Sequence, residues 1–403
     1  MNKYSQLSIS LTQKLTKEEK KKNGIYFTPL SIIRKILENL KEYKFNQILE
    51  PACGSCEFIK HLDNSFDNCV IDGIELNQTI YNEIKNIQSN KNSINIIQDD
   101  FLKFQTDNLY DLIIGNPPFY VIKKEECPNE YLKYIDGRPN IFTLFIIKAL
   151  QLLKENGILA FVLPMNFLNC VYYQKIRREI YNNFQIINIL TFNEAKFIET
   201  QQQTCAIIVK NKKYNWFNHN FTLEQFTTFN TTATVNKLKG LLDFSTSLSQ
   251  MNFKVKVGNV VWNQVKDKLT DDNTFSRLIY SSEIKNNELI MKKFKNPEKK
   301  NYITQDGYDK PLLVVNRGYG MGKYCFNYCL VDIPNQYLIE NHLICIIPKK
   351  DLPRDKLIEE YNKIMKSFED PRTKKFVNIY FANNAINTTE LEYVLPIYLF
   401  SKT

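Results

Sequence analysis

The sequence contains no hydrophobic run that approaches the length of a transmembrane helix, which requires about 20 apolar residues. Residues 1–22 are polar and rich in lysine, and they lack the apolar core of a secretory signal. We therefore expect a soluble, intracellular (cytoplasmic) protein without a membrane partner. Hydrophobic residues make up 43% of the chain and aromatic residues 13%, so its 403 residues can bury a core and form two domains.

Cysteine occurs in no pattern that indicates disulfides or a metal centre. The nine cysteines are scattered, and several lie in apolar runs, as is typical of reduced and buried thiols. Cys53 and Cys56 have C-x-x-C spacing, but no second C-x-x-C completes a zinc site. We interpret this pair as small residues of a tight loop and expect no metal; Cys325 and Cys329 receive the same interpretation.

Lysine and arginine outnumber aspartate and glutamate only slightly. The formal net charge is +10, which favours an acidic partner. From residue 216 onward there are 26 Lys and Arg against 20 Asp and Glu, so the excess is spread along the chain. This balance permits nucleic-acid binding without requiring it, because a lysine-rich surface is most often simply solvated.

The most informative stretch is 111–119, with the sequence Asp-Leu-Ile-Ile-Gly-Asn-Pro-Pro-Phe. Its apolar part is too short for a helix and indicates a buried parallel strand. The two prolines hold Asn116 extended at the carboxyl end of that strand, where ligands bind in open α/β sheets. The Asn116 amide, a proline carbonyl and the Phe119 ring can together hold a planar ring with an exocyclic amino group. The alternative is a tight turn without a ligand.

Strand and helix patterns alternate along roughly the first half of the chain. This alternation predicts an α/β fold with a doubly wound, Rossmann-like sheet of seven strands that is largely parallel. The last two strands have no helix between them, so we expect an antiparallel pair there. The predicted strands are 46–50, 70–75, 94–97, 112–114, 157–163, 186–190 and 204–209. We place a catalytic domain at 1–215 and a second, mixed α/β domain at 216–403, with 216–245 as linker and irregular structure.

Three further stretches have the character of a nucleotide-binding site. Thr28 before Pro29 predicts the N-cap of a helix over 30–40, and such a helix start attracts a carboxylate. A loop with Gly54 joins the first strand to a helix, and Glu75 follows Gly54 at the spacing of an acid that accepts ribose hydroxyls. Asp100 and Phe101, at the end of the third strand, suit an adenine amino group and ring; an exposed acidic turn is the alternative.

In this order the motifs resemble the gamma class of DNA adenine-N6 methyltransferases, of the TaqI methyltransferase type, over residues 20 to about 210. The resemblance implies a domain that binds S-adenosyl-L-methionine, followed by a target recognition domain. It implies Thr28, Glu50, Pro51, Ala52, Cys53, Gly54, Glu75, Asp100 and Phe101 at the cofactor, and Asn116, Pro117, Pro118 and Phe119 as catalytic residues at the target base, with Phe197 as a second aromatic wall. Two positions depart from the family, since Cys56 and Phe119 stand where glycine and tyrosine are common.

The resemblance also implies partners and a role for the second domain. Duplex DNA is the expected substrate, with adenine flipped out of the helix, and a cognate restriction endonuclease acting separately is a candidate partner. In the second domain, a glycine-rich loop over 314–323 offers Arg317 and Lys323 for contacts with base edges, and 381–387 is a second candidate loop. A hairpin turn without a ligand is the alternative for the glycine-rich loop.

Other functions stay open at this point. Asn-Pro-Pro-aromatic loops also occur in enzymes that methylate RNA bases or the amide of protein glutamine. A second alternative is a non-catalytic DNA-binding module on the same fold. The spacing of Glu283 and Lys285 also matches the E-x-K pattern of many nucleases, although a three-residue match arises often by chance.

Overall fold

The computed structural model describes residues 4–192, 203–213, 218–223, 225–317, 325–381 and 386–399. The chain divides into two compact units, Met1–Val235 and Asn236–Thr403. This division falls after residue 235 rather than after residue 215, where the sequence pattern placed it.

The described part of the first unit alternates helices with strands, as expected. Its helices are α1 (Gln6–Lys14), α2 (Lys17–Asn23), α3 (Leu30–Glu38), α4 (Glu57–Ser65), α5 (Gln78–Ile84), α6 (Ile141–Gln151) and α7 (Gln174–Asn183), and α8 (Thr232–Leu242) crosses into the second unit. Its strands are β1 (Gln47–Glu50), β2 (Val70–Glu75), β3 (Ser93–Gln98), β4 (Tyr110–Gly115), β5 (Leu153–Pro164), β6 (Gln185–Thr191), β7 (Thr204–Lys210), β8 (Asn220–Leu223) and β9 (Phe226–Phe229).

The first seven strands form one sheet in the order β3-β2-β1-β4-β5-β7-β6. Strands β1 to β5 pair in parallel, whereas β7 is antiparallel to both β5 and β6. The chain order reverses between β1 and β4, which is where an open α/β sheet forms a crevice beyond its strand ends. The predicted doubly wound, seven-stranded, Rossmann-like sheet and its antiparallel pair are therefore confirmed.

Burial on both faces of the sheet explains the unbroken apolar run in strand β5. Ile158, Ala160 and Val162 belong to the core on one face of the sheet, and Leu159, Phe161 and Leu163 belong to the core on the other face. Successive side chains of a strand point to opposite faces, so a strand covered on both sides is apolar at every position. Both cores are helix-covered, and the polar residues that matter for function are left at the strand ends.

The hairpin of β8 and β9 accounts for the later division of the units. Arg177 on α7 is fully buried, and its guanidinium donates to the backbone carbonyls of Thr227 at 2.7 Å and of Phe167 and Cys170 at 2.8 Å. The hairpin is thus tied to the first unit by charge-assisted hydrogen bonds. The interpretation of 216–245 as linker and irregular structure was wrong, because its short Thr- and Phe-rich runs form β8, β9 and α8.

We expect Arg177→Ala to lower the free energy of unfolding by about 3 kcal/mol or more, because several buried carbonyls lose a charged donor at once. Thermal or urea unfolding of the purified chain measures this. Arg178→Ala is the matched control, since Arg178 is exposed on the same helix. Equal losses in the two variants would contradict the structural role assigned to Arg177.

The described part of the second unit is mixed α/β, as predicted. Two four-stranded sheets have the orders β10-β19-β16-β17 and β11-β15-β12-β18. The strands are β10 (Phe253–Val257), β11 (Leu269–Thr270), β12 (Ser276–Ile279), β13 (Ile284–Lys285), β14 (Glu288–Leu289), β15 (Tyr302–Ile303), β16 (Leu312–Asn316), β17 (Tyr328–Val331), β18 (Tyr337–Ile339) and β19 (Leu343–Pro348), and the helices are α9 (Arg354–Glu369), α10 (Pro371–Tyr380) and α11 (Thr388–Tyr393). Within the described ranges, no helix has both the length and the apolar character needed to cross a membrane.

Candidate active site

A cavity of about 380 Å³ opens beyond the carboxyl ends of β1, β2, β3 and β4 in the first unit. Eight predicted site residues contribute to its wall: Pro51, Ala52, Gly54, Glu75, Asp100, Phe101, Asn116 and Pro118. A small adjoining cavity of about 40 Å³ is lined by Thr28, Glu50 and Cys53, among others, and also by Asn116. The structure therefore brings the predicted cofactor residues together with the first residue of the Asn-Pro-Pro-Phe motif.

Asn116 follows β4 directly and lies in the walls of both cavities. Its side-chain Nδ2 donates to the backbone carbonyl of Tyr26 at 3.0 Å, which fixes the orientation of the amide. Its Oδ1 is buried and has no hydrogen-bond partner among the described residues. A buried acceptor without a donor is costly, so this oxygen is poised to accept from a ligand N–H.

Glycine at position 24 allows the motif loop to pack closely against α2. Gly24 caps the carboxyl end of α2 with φ +63°, in the left-handed region. A Cβ atom at this position would lie 2.9 Å from the Phe119 backbone nitrogen and 3.0 Å from the Pro118 Cβ. Gly24 and Tyr26, which sequence reasoning did not select, therefore position the Asn-Pro-Pro-Phe loop.

Glu75 ends β2 and is 7% exposed. Its Oε2 accepts from the Gly54 backbone N–H at 2.9 Å, and its Oε1 accepts from the Asn77 backbone N–H at 2.7 Å. Burial raises the pKa of the carboxyl, while these backbone hydrogen bonds act in the opposite direction. The acid is thus held by the glycine loop that the sequence paired with it, on the wall of the larger cavity.

Glu50 ends β1, and its carboxyl is enclosed. Burial raises its pKa well above the ordinary range, and the nearby Cys56, Glu75 and Glu57 raise it further, while a hydrogen bond from the Ile59 backbone acts in the opposite direction. Its Oε2 has no hydrogen-bond partner among the described residues. A buried carboxylate without a cation is unstable in this setting, so a positively charged ligand group is its natural complement.

Asp100 and Phe101 follow β3 in a tight turn. Asp100 Oδ1 accepts from the Leu102 backbone N–H at 3.0 Å, and its Oδ2 lies 3.6 Å from Lys103 Nζ. The Phe101 ring is buried and packs on Phe145, with 5.0 Å between ring centroids. The alternative interpretation, an exposed acidic turn, does not describe this pair, because both residues line the cavity.

The remaining motif residues, Pro117 and Phe119, are not among the residues that line the two cavities. Pro117 is buried. The Phe119 ring is half-buried and meets the edge of Phe142, with centroids 5.9 Å apart and an interplanar angle of 83°. Phe142 in turn contacts Tyr173 and Phe167 at centroid distances of 5.0 and 6.0 Å. An aromatic cluster inside the first unit therefore supports Phe119 from behind.

Thr28 is buried in the wall of the smaller cavity, but the predicted capping role is wrong. Helix α3 begins at Leu30, and the cap position is occupied by Pro29 without a side-chain capping hydrogen bond. Proline is tolerated at the start of a helix, because its φ is fixed near the helical value and its missing N–H would have no intrahelical partner there. The Thr28 hydroxyl is left to the smaller cavity.

The lysine-rich N-terminal segment is helical and contributes to the site. Thr16 caps α2 by accepting from the Glu19 backbone, and Glu19 accepts from Asn77 Nδ2 at 3.0 Å beside Glu75. In α1, Ser8 donates to Glu57 at 3.0 Å. The Thr-x-x-Glu pattern at 16–19 is a helix-start signal that could have predicted α2. The N-terminal helices therefore brace the part of the first unit that carries Glu57, Glu75 and Asn77.

The glycine loop contains reduced thiols, as expected. Cys53 and Cys56 are free and buried. Cys56 has φ +59°, which places it in the left-handed region that glycine adopts at low cost. This conformation explains why glycine is common there in the family that the motifs resemble.

Five other predicted features have different outcomes. Phe197, Lys323 and 382–385 lie outside the described residues, so those predictions stand as made. Arg317 is exposed at the end of β16 in the second unit. The nuclease interpretation of Glu283 was wrong, because its carboxylate is fully buried and occupied by Arg277 and by the backbone N–H groups of Tyr280 and Lys292.

Comparison with known proteins gives one family match and several relatives. Residues 5–198 match the Eco57I restriction-modification methylase family. The Type II methyltransferase M.CvrRI of Paramecium bursaria Chlorella virus XZ-6E is 26% identical over 409 residues, covering 99% of this chain and 100% of that protein. The modification methylase CviBIII of Paramecium bursaria Chlorella virus NC1A is 28% identical over 415 residues, with the same coverage. The Type II methyltransferase M.AccI of Acinetobacter calcoaceticus is 26% identical over 207 residues, covering 49% of this chain and 38% of that protein.

The sheet order and the cavity beyond its strand ends are those of a Rossmann-like α/β fold. The family match includes β1 to β6 of this sheet and ends before β7. The predicted resemblance is confirmed at that level: the chain is similar to methyltransferases of restriction-modification systems.

Proposed function

We propose that the chain is a site-specific DNA methyltransferase that transfers a methyl group from S-adenosyl-L-methionine to the N6 amino group of an adenine flipped out of duplex DNA. The observation that carries the proposal is Asn116 Oδ1, a buried acceptor without a partner among the described residues, in a wall shared by the two cavities. Such an oxygen suits an amino group that becomes more acidic as it forms a new bond.

The residues that line the two cavities fit the cofactor. Glu75 suits its ribose hydroxyls, and Asp100 with Phe101 suits its adenine ring, since all three line one cavity large enough for a nucleoside. Glu50 suits its ammonium group, because the unpaired carboxyl oxygen needs a cation. Thr28 lies in the same small cavity as Glu50 and suits the carboxylate. When bound, the cofactor supplies a methyl group on a positively charged sulfur.

The chain's own residues then activate and position the amine. An exocyclic amine is a poor nucleophile because its lone pair is delocalised into the ring. Asn116 Oδ1 and the Pro117 carbonyl would draw the amine hydrogens toward a tetrahedral geometry, while the Tyr26 carbonyl keeps the Asn116 amide from rotating. Alignment of two reacting groups in this way contributes on the order of 7–11 kcal/mol. Phe119 would replace the stacking lost on flipping, which costs a few kcal/mol.

The second unit, in this proposal, is the target recognition domain. Its mixed α/β fold presents Arg317 exposed at the end of a strand, where an arginine can read guanine. An additional unit of this size suits a large substrate, because it can contact the substrate outside the reacting group and distinguish one base sequence from another. This feature favours duplex DNA over RNA or a protein glutamine. A cognate restriction endonuclease, encoded separately, would recognise the same sites.

Competition between substrates tests the substrate class. Labelled S-adenosyl-L-methionine is supplied with equal amounts of unmethylated duplex DNA, structured RNA and a mixed protein extract. We expect the label in duplex DNA. Label in RNA or protein would keep the fold and the site but move the substrate to the alternative class. Binding of DNA without any transfer would favour a non-catalytic module.

Gly24→Ala is predicted to disturb the motif loop. The added Cβ would be strained at φ +63° and would press on Phe119 and Pro118. We expect a loss of about 1–3 kcal/mol in the free energy of unfolding and at least a tenfold lower rate of methyl transfer. Gly240→Ala in α8 is the matched control, because a Cβ there meets nothing within 4 Å and alanine favours a helix. Equal behaviour of the two variants would contradict the role of Gly24.

A further inference from the structure

The second unit carries a lysine-rich loop over 291–300, with the sequence Met-Lys-Lys-Phe-Lys-Asn-Pro-Glu-Lys-Lys. It has five lysines and one acid, and it contains no helix or strand. A charged loop on a protein surface is often only solvated. The partners of the five lysines therefore show which of their charges are available to a ligand. Three of the five are engaged within the unit, and two are not.

The engaged lysines are those at the ends of the loop. Lys292 donates to the Ser282 backbone carbonyl, and Lys300 pairs with Asp271. Lys299 Nζ lies 4.0 Å from the centre of the Tyr280 ring and 4.6 Å from that of Phe294, so its charge faces aromatic rings.

Lys293 and Lys295 are exposed and have no hydrogen-bond or ion-pair partner among the described residues. The acid of the loop, Glu298, does not neutralise them, because it is paired with Lys266 at 2.7 Å. Between the two lysines, Phe294 packs inward on Tyr280 with 4.7 Å between ring centroids. The inward phenylalanine anchors the loop between two outward charges.

The loop is also fixed at both ends. The Ile290 and Lys292 backbone N–H groups donate to Glu283, at its backbone carbonyl and its side-chain Oε1 respectively. Glu283 itself is fully buried and paired with Arg277. At the other end, the Tyr280 hydroxyl donates to the Lys300 carbonyl at 2.7 Å. The two free charges therefore sit on a preorganised loop, which lowers the entropic cost of binding.

We propose that Lys293 and Lys295 form a contact with the phosphate backbone of duplex DNA; this inference rests on the proposed function. Two unpaired ammonium groups, held on a fixed loop without a neutralising acid, fit a polyanion. Phosphate contacts position a protein on DNA without reading sequence. The pair adds affinity at every site, whereas recognition of the target sequence belongs to other residues.

The test is equilibrium binding of the full chain to labelled duplex DNA over a series of salt concentrations. Each phosphate contact contributes about 0.9 to the slope of log affinity against log salt. Lys293→Gln with Lys295→Gln should reduce that slope by about 1.8 and weaken binding at moderate salt by roughly tenfold or more. The melting temperature should not change, since both side chains are exposed.

Lys374→Gln with Lys375→Gln is the matched control, because these lysines are neighbouring, exposed and located on α10 of the same unit. The control should keep the slope of the unmodified chain. An unchanged slope in the loop variant, or an equal loss in the control, would overturn the assignment while leaving the proposed function in place. Absence of any salt-dependent DNA binding by the unmodified chain would instead overturn the proposed function, and the inference with it.

Discussion

Asn116→Ala should reduce methyl transfer by at least about a hundredfold while cofactor affinity stays close to normal. The substitution removes the buried acceptor that faces the cavity and the hydrogen bond to the Tyr26 carbonyl. Loss of one preorganised group that stabilises developing charge typically costs 10²–10³ in rate. Single-turnover transfer with saturating cofactor and DNA isolates this effect from binding.

Two variants make the result specific. Asn116→Asp keeps the shape but loses the donor to the Tyr26 carbonyl, so we expect it to be impaired as well. Asn188→Ala is the matched control. Asn188 lies on β6 at the edge of the same sheet, and its side-chain Nδ2 donates to Asn39 Oδ1 at 2.7 Å. It lines neither cavity. Near-normal turnover by Asn116→Ala would remove the basis of the catalytic assignment.

Glu50→Gln should weaken cofactor binding by about a hundredfold and yet stabilise the free protein at alkaline pH. In the proposed site the carboxylate is the partner of the cofactor's ammonium group, and removal of one member of a buried pair is costly. Without cofactor, the same carboxylate is buried without a cation, so its ionised form destabilises the fold. One substitution is therefore expected to move affinity and stability in opposite directions.

The pH dependence follows from the direction of the pKa shift of Glu50. Because its folded-state pKa is raised, the fold favours the protonated carboxyl, and stability falls as pH rises from the ordinary carboxyl pKa toward the raised value. The stabilisation by Glu50→Gln should therefore be absent near pH 4.5 and grow with pH. Cofactor affinity of the unmodified chain should rise over the same window, because the ammonium group prefers the ionised partner.

Thermal unfolding and calorimetric titration at several pH values measure both effects. Glu83→Gln is a control that removes one exposed acid, paired with Lys14, from the same unit. It should change neither quantity appreciably. A Glu50→Gln variant that binds the cofactor with unchanged affinity at every pH would show that the carboxylate has another role.

Much of the first unit could be predicted from its sequence, because parallel strands covered on both faces leave continuous apolar runs. The run at 157–163 is the clearest case, since the strand it predicts is β5. The polar residues that end these strands could be grouped by a general rule, namely that the carboxyl ends of parallel strands meet at one edge. Glu75, Asp100 and Asn116 meet at the larger cavity as that rule requires.

Other parts depend on contacts between distant residues, which a local pattern does not contain. The N-terminal helices are stabilised by tertiary hydrogen bonds such as Ser8 to Glu57 and Asn77 to Glu19. The role of Gly24 becomes visible only when the motif loop packs against it. Strands β8 and β9 are too short to give a clear periodic pattern in the sequence. The contact that holds them comes from one buried arginine on α7, which is distant in sequence.

The proposed function is tested most directly by nucleoside analysis of unmethylated duplex DNA after incubation with the purified chain and S-adenosyl-L-methionine, with single-molecule sequencing of the product. We expect N6-methyladenine confined to one short sequence motif, and its absence when Asn116→Ala replaces the unmodified chain. Methylcytosine, methylation without sequence preference, or N6-methyladenine produced equally by the Asn116→Ala variant would contradict it.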